Sequence, residues 1–294
     1  MIWLDRYNLT RQRSADLTWA KNNRPNTQIL DFKTTKMRIR DEGSGKQTLL
    51  FITDPPNVIE HYDELFDLFK TDYRVVVTEH PGQGFSVHKS SFDFSLAAHT
   101  HAIEELILHL KLRNIILVLP CVATYIGLPL AAKYPDLIKK VILAQAPNWS
   151  EQKKWVKRID PKGLLTAPFI GQFYLASAKR KQTTSKIWYK ISLGNREQFP
   201  HFYDLAKTQF EHQGCYCLAS MLQGTMAEQT DFQNISQPTA IIWGLNDKSH
   251  LPTDKRTTLQ FAPHANYHEW DDAGHFPHLQ QLKKFYDVVR ELGQ

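Results

Sequence analysis

The sequence predicts an α/β fold: a mostly parallel sheet covered by helices on both faces, interrupted late in the chain by a helical insertion. Three observations carry this. Apolar, β-branched runs alternate with amphipathic segments through the first half of the 294-residue chain. The alternation stops near Pro147 and strand-like runs return only after about residue 228. Three reactive side chains, Cys121, Asp247 and His275, each follow an apolar run, where the C-terminal ends of parallel strands gather around one crevice.

Taken in order, "TKMRIRD" and "QTLLFIT" read as strands separated by the turn "EGSGK". "VIEHYDELFDLFK" has helical spacing, and "YRVVVTEH" is a further β-branched run. After the turn "PGQGFS", "FSLAAHTHAIEELILHLKL" places Leu96, Ile103, Leu106, Ile107 and Leu110 on one helical stripe, with Ser95 as N-cap. "NIILVLP" is an apolar strand, "YIGLPLAAKYP" a helix and "KKVILAQAP" a strand. Between Asn148 and Glu228 the text is rich in aromatics and lysine. There "KKWVKRI", "APFIGQFYLASAKRK" and "FPHFYDLAKTQFEHQ" read as short helices. "PTAIIWG" and "NYHEW" restore strands, and "PHLQQLKKFYDVVRELG" closes on a helix. Residues 1–147 and 229–294 are therefore expected to form the core, and 148–228 a cap.

Composition bounds the function. A hydrophobic content of 42% supports a sizeable core. The opening "MIWLDRYNLTRQRS" has no apolar run of signal-peptide length, and no window approaches the length of a membrane span. The three cysteines, Cys121, Cys215 and Cys217, lack the paired spacing of a zinc site and are too few for a disulfide framework. A soluble, cytosolic protein without metal or cofactor is the expectation. Net charge is +6, and the excess sits wholly in the cap, where residues 148–228 carry 12 Lys/Arg against 6 Asp/Glu. That charge suits an anionic carrier, a coenzyme A phosphate or an acidic carrier protein, or else solvated helix faces. No nucleic-acid motif is present. Cys215 and Cys217 read as cap packing, and Glu79, His80 and His278 as turn or supporting polar groups.

Six blocks, "MRIRDEGSGKQTLLFI", "YRVVVTEHPGQGFS", "FSLAAHTHAIEELILHL", "LAAKYPDLIKKVILAQAP", "AIIWGLNDKSHLP" and "WDDAGHFPHLQQ", resemble in order the blocks of a capped α/β-hydrolase. The resemblance puts Cys121 at the nucleophile, Asp247 at the triad acid and His275 at the triad histidine. It implies an acyl-enzyme: His275 takes the Cys121 proton, Asp247 fixes the imidazole tautomer, and the thiolate attacks an apolar ester, thioester or lactone for hydrolysis or transfer. The implied oxyanion donors are the Val122 amide and an amide of "TDPPN". The alignment places Pro55, which has no N–H, at that second donor, so one donor is missing unless a small shift in alignment lets Asp54 or Asn57 donate instead. Leu119 stands where the elbow usually has glycine and is expected to crowd the turn. The alternative is a pocket that keeps Asp247 and His275 but binds a ligand, or promotes a non-hydrolytic reaction, without a covalent step.

Overall fold

The computed structural model describes residues 5, 16–228, 230 and 232–293. The N-terminal segment, apart from Asp5, lies outside them. A short helix α1 (Leu17–Asn22) precedes strands β1 (Thr27–Asp31), β2 (Thr35–Glu42) and β3 (Thr48–Ile52). Helix α2 (Asp63–Phe69) leads to β4 (Arg74–Thr78) and the two-residue strands β5 (Gln83–Gly84) and β6 (Val87–His88). Helix α3 (Leu96–His109), β7 (Ile115–Pro120), α4 (Val122–Lys133) and β8 (Ile138–Ala144) complete the first half.

The main sheet runs β1-β2-β4-β3-β7-β8-β10-β11, with β6 also paired to β2. From β4 to β11 every pairing is parallel, whereas β1–β2 and β2–β4 are antiparallel. The central strands read as unbroken apolar runs because both faces are covered. Along them alternate residues serve opposite layers. Leu50, Leu117, Leu119, Leu143 and Ile241 pack in one core with residues of α3 and α4, while Phe51, Ile116, Val118, Ile142 and Ile242 pack in another with α2 and the C-terminal helix. Ser95 caps α3 by accepting from the Ala98 amide at 3.0 Å.

Between β8 and β10 lie five helices, α5 (Trp149–Ile159), α6 (Ile170–Tyr174), α7 (Ala178–Ser192), α8 (Phe199–Glu211) and α9 (Leu218–Met226). Within this segment β9 (Cys215–Tyr216) pairs antiparallel with β5 and ties the cap to the core. Cys215 and Cys217 are buried in that seam. The chain then forms β10 (Thr239–Gly244), β11 (Asn266–Trp270), α10 (Pro277–Gln280) and α11 (Leu282–Gly293).

Two features differ from the sequence expectation. The stretch 27–31, to which the sequence reading assigns no element, is an edge strand that extends the sheet through full register with β2, from Thr27 opposite Arg40 to Asp31 opposite Lys36. Its half-buried residues carry no clear alternation, and the pairing rather than its own pattern makes it a strand. The closing helix is broken at Gln281, so that the turn after His275 can form its own short helix.

Candidate active site

The β7–α4 junction is a tight elbow. Cys121 adopts φ +46° and ψ −118°, a left-handed conformation uncommon for a residue with a side chain. Three bonds hold it: its amide donates to Ala144 O at 2.8 Å, the Thr124 amide to Cys121 O at 3.1 Å, and Thr124 Oγ1 to Leu119 O at 2.8 Å. The Val122 backbone, at the helix N-terminus, favours the Cys121 thiolate against the effect of burial. Leu119 does not crowd the turn. Its side chain packs on Gly127 one helical stretch later, where an added Cβ would stand 2.4 Å from Leu119 Cδ2 and 2.6 Å from Cδ1. The space that glycine usually leaves within the elbow is left here by a glycine on the following helix.

The loops after β10 and β11 bring Asp247 and His275 to the same point. His275 Nδ1 donates to Asp247 Oδ2 at 2.6 Å, and both groups are fully buried. Asp247 is itself held from two sides: Ser249 donates to Oδ1 through its amide (2.9 Å) and hydroxyl (2.7 Å), and Gln145 Nε2 donates to Oδ2 at 3.1 Å. Burial pushes the Asp247 carboxyl up, but the charge and hydrogen bond of His275 outweigh it and hold it below the usual carboxylate range. Burial also works against a charged His275, yet the Asp247 charge, then Cys121 and the bonds to Asp247 and Asp54, raise the imidazole well above its usual basicity. Trp155 stacks over the ring at 6.0 Å and Trp188 meets it edge-on at 4.9 Å.

Asp54 enters through its carboxylate. Its Oδ2 lies 3.1 Å from His275 Nε2, the nitrogen that would receive a nucleophile's proton. The loop after β3 causes this, since Pro55 has no N–H and the Asn57 amide is spent on Asp54 O at 3.0 Å. Burial pushes the Asp54 carboxyl up, against the opposing pull of His275. Burial likewise, with the Asp54 charge, pushes the Cys121 thiol up to about 11. Asp54, Cys121 and Val122 line a cavity of about 140 Å³ whose walls, among them Trp155, Leu165, Trp188 and Leu222, come from the cap.

The structure thus brings Cys121, Val122, Asp54, Asp247 and His275 together. Gln145 and Ser249 escaped the sequence reading, whereas Trp155 and Trp188 are among the aromatics already noted in the cap. Of the two that escaped, only Gln145 had a readable signal, its place directly after strand β8. Glu79 serves a buried ion pair with Arg38 at 3.0 Å, and His278 Nε2 meets the Tyr62 hydroxyl at 3.3 Å. His80 is buried beside His99, with ring centroids 5.5 Å apart, away from the site.

Comparison with known proteins fits this architecture. The model of the alpha/beta hydrolase fold family matches residues 56–282. A cis-3-alkyl-4-alkyloxetan-2-one decarboxylase of Shewanella oneidensis is 26% identical over 264 residues, spanning 82% of this chain and 80% of that protein. The Bacillus megaterium epoxide hydrolase superposes with a TM-score of 0.71 at 16% identity, over 90% of this chain and 99% of the other. An N-acyl homoserine lactone degrading enzyme gives a TM-score of 0.69 at 16% identity, over 90% and 99% respectively. The Exiguobacterium antarcticum esterase gives 0.69 at 17%, over 90% and 98%. These structural likenesses concern the fold. No described helix is long and apolar enough to cross a membrane. With the family model covering most of its length, the chain belongs to the alpha/beta hydrolase fold family.

Proposed function

We propose that this protein is an enzyme that hydrolyses an apolar ester, thioester or lactone by direct attack of water, without an acyl-cysteine. The observation that carries this reading is the Asp54 carboxylate on His275 Nε2 at 3.1 Å. In an acyl-enzyme mechanism that nitrogen must accept the proton of Cys121. Here it is engaged by an anionic partner, and a thiol pushed up to about 11 has little tendency to ionise.

The chemistry follows from the arrangement. A water on the cavity floor gives its proton to the Asp54–His275 pair as its oxygen adds to the carbonyl carbon. The carbonyl electrons move to oxygen beside the Val122 amide and the neutral Cys121 thiol. Collapse expels the alkoxide, which takes the proton back. Asp247, Gln145 and Ser249 hold the imidazole in place throughout. The apolar walls favour a substrate with little polar surface. Relatives named for an oxetanone and for a homoserine lactone support a lactone as well as a linear ester. The cationic cap, with Lys179, Arg180 and Lys186 exposed on α7, supports delivery of an acyl group on an anionic carrier.

The test is intact-mass measurement of the protein quenched in acid during turnover of p-nitrophenyl esters and alkyl lactones. Hydrolysis without an acyl adduct is expected, with Asp54→Asn and His275→Ala each losing about 10²–10⁴ in kcat/KM. A stoichiometric adduct that disappears in Cys121→Ala would establish the acyl-enzyme instead, a route the elbow position of Cys121 would serve. Absence of turnover across both substrate classes would refute hydrolysis altogether.

A further inference from the structure

Two departures from the family pattern meet at one point. Cysteine stands at the elbow and aspartate stands in the loop after β3, and both side chains converge on His275. The Cys121 sulfur, a carboxylate oxygen of Asp54 and a ring nitrogen of His275 all lie within 4.8 Å of one another, and all three residues are buried. Sulfur, imidazole nitrogen and carboxylate oxygen are the three protein ligand types of zinc. Around a tetrahedral zinc such atoms sit about 3.3–3.6 Å apart, given metal–ligand distances of about 2.0–2.3 Å. The 3.1 Å between His275 Nε2 and Asp54 Oδ2 is already close to that edge length.

We propose that Cys121 Sγ, His275 Nε2 and a carboxylate oxygen of Asp54 form a three-ligand site for a zinc ion, with the fourth position open to the apolar cavity. Asp54 and Cys121 both line that cavity, so the open position would face the space a substrate fills. The supporting shell is in place. Histidine ligands commonly donate their other ring nitrogen to a carboxylate, and His275 Nδ1 does so to Asp247 at 2.6 Å, with Gln145 and Ser249 fixing that carboxylate in turn. A second set, Asp247, His250 and His275, also lies within 4.8 Å, but filling it would break the Asp247–His275 bond and strip Asp247 of its Ser249 and Gln145 partners.

On binding, the metal displaces the Cys121 thiol proton and the proton between His275 and Asp54 to solvent, and no electron is transferred. The inference rests on the reading that water attacks directly, and changes how that water is activated: with Cys121, His275 and Asp54 bound to the metal, a water at the open position would lose its proton because the metal lowers its pKa, not to the Asp54–His275 pair. The ligands lie at positions 54, 121 and 275, on loops after three different strands, which is why no spacing motif announces them.

The experiment uses the full chain, reduced and stripped with a chelator, titrated with Co²⁺ as an absorbing substitute for zinc. Saturation at one equivalent is expected, with a sulfur-to-cobalt charge-transfer band and the intense visible absorption of tetrahedral cobalt, both removed by Zn²⁺. Cys121→Ser should abolish the charge-transfer band while a Cys215→Ala/Cys217→Ala double variant keeps it. His275→Ala and Asp54→Asn should weaken binding at least tenfold, and Asp247→Asn by about 10–100-fold, with circular dichroism confirming the fold of each. No saturable binding by the native chain, or a band that survives in Cys121→Ser, overturns the proposal. Hydrolysis that persists in chelated, cobalt-free protein overturns the metal site and leaves direct hydrolysis standing. Cobalt bound with these signatures but no turnover of esters or lactones leaves the site standing and refutes hydrolysis.

Discussion

The packing of Leu119 on Gly127 yields a sharp prediction about how this elbow is built. In Gly127→Ala the new Cβ would lie 2.4 Å and 2.6 Å from the two Leu119 methyl carbons, against about 3.5–4.0 Å for a relaxed carbon contact. Leu119 is fully buried, in a cluster with Ala123, Ile126 and Leu143, so it has nowhere to retreat. Overpacking costs about 1–3 kcal/mol, and two contacts this short put the clash near the top of that range. The gain in helix propensity from glycine to alanine, about 1 kcal/mol, offsets part of it. The net expectation is a loss of about 1–2 kcal/mol. Leu119→Ala alone should cost about 2–5 kcal/mol through its cavity. In the double variant the alanine Cβ enters space vacated by Leu119, so the double should be more stable than the sum of the singles by at least about 1 kcal/mol. Urea unfolding with unchanged m-values measures each corner of the cycle. Additivity within about 0.5 kcal/mol would refute the idea that Gly127 makes the room for Leu119.

Three further outcomes are expected. Burial lowers His61 to about 4 and His80 and His278 to about 3, so each is neutral when folded and takes a proton at pH 6.5 or below only when unfolded. Stability should therefore be full above pH 6.5 and fall as pH drops, by about 1.4 kcal/mol per histidine at pH 5.5, with Glu79, raised to about 6, opposing in part. A urea midpoint unchanged between pH 7.5 and 5.5 would contradict this. Iodoacetamide should alkylate Cys121 and Cys215 far more slowly in the folded chain than in urea at pH 7.5, since burial pushes these thiols up to about 11 and about 12; equal rates by mass spectrometry would show the site to be open. Finally, Lys179→Glu with Lys186→Glu should raise KM for an acyl-coenzyme A but not for the acyl group on N-acetylcysteamine, and the difference should shrink with salt. Equal effects on both would remove the anionic carrier.

Much of this architecture is legible in residue patterns. The run "NIILVLP" is apolar throughout because β7 lies mid-sheet with helices on both faces, and Cys121, Asp247 and His275 follow β7, β10 and β11, so the strand-end rule locates them. The stretch 27–31 was not legible, because burial along it fades from Thr27 to Asp31 without the alternation that would announce a strand. Asp54 was legible as a position but not as a chemical group: alignment placed it near the expected oxyanion donor, while its carboxylate turns to His275. Gln145 was not read as a site residue at all, since its contact with Asp247 joins loops about a hundred residues apart.

The sequence by itself determined the order of strands and helices, the late insertion and the chain positions of three reactive residues, because hydrophobic periodicity and turn chemistry are local. Tertiary structure alone decided how side chains from distant loops face one another. It gave His275 a carboxylate on each ring nitrogen, moved the room for Leu119 onto Gly127, and set Cys121 beside Asp54 under a roof of cap tryptophans. The difference is physical: a period is read along one segment, whereas the protonation and reach of a buried group depend on the charges and atoms that other segments bring against it.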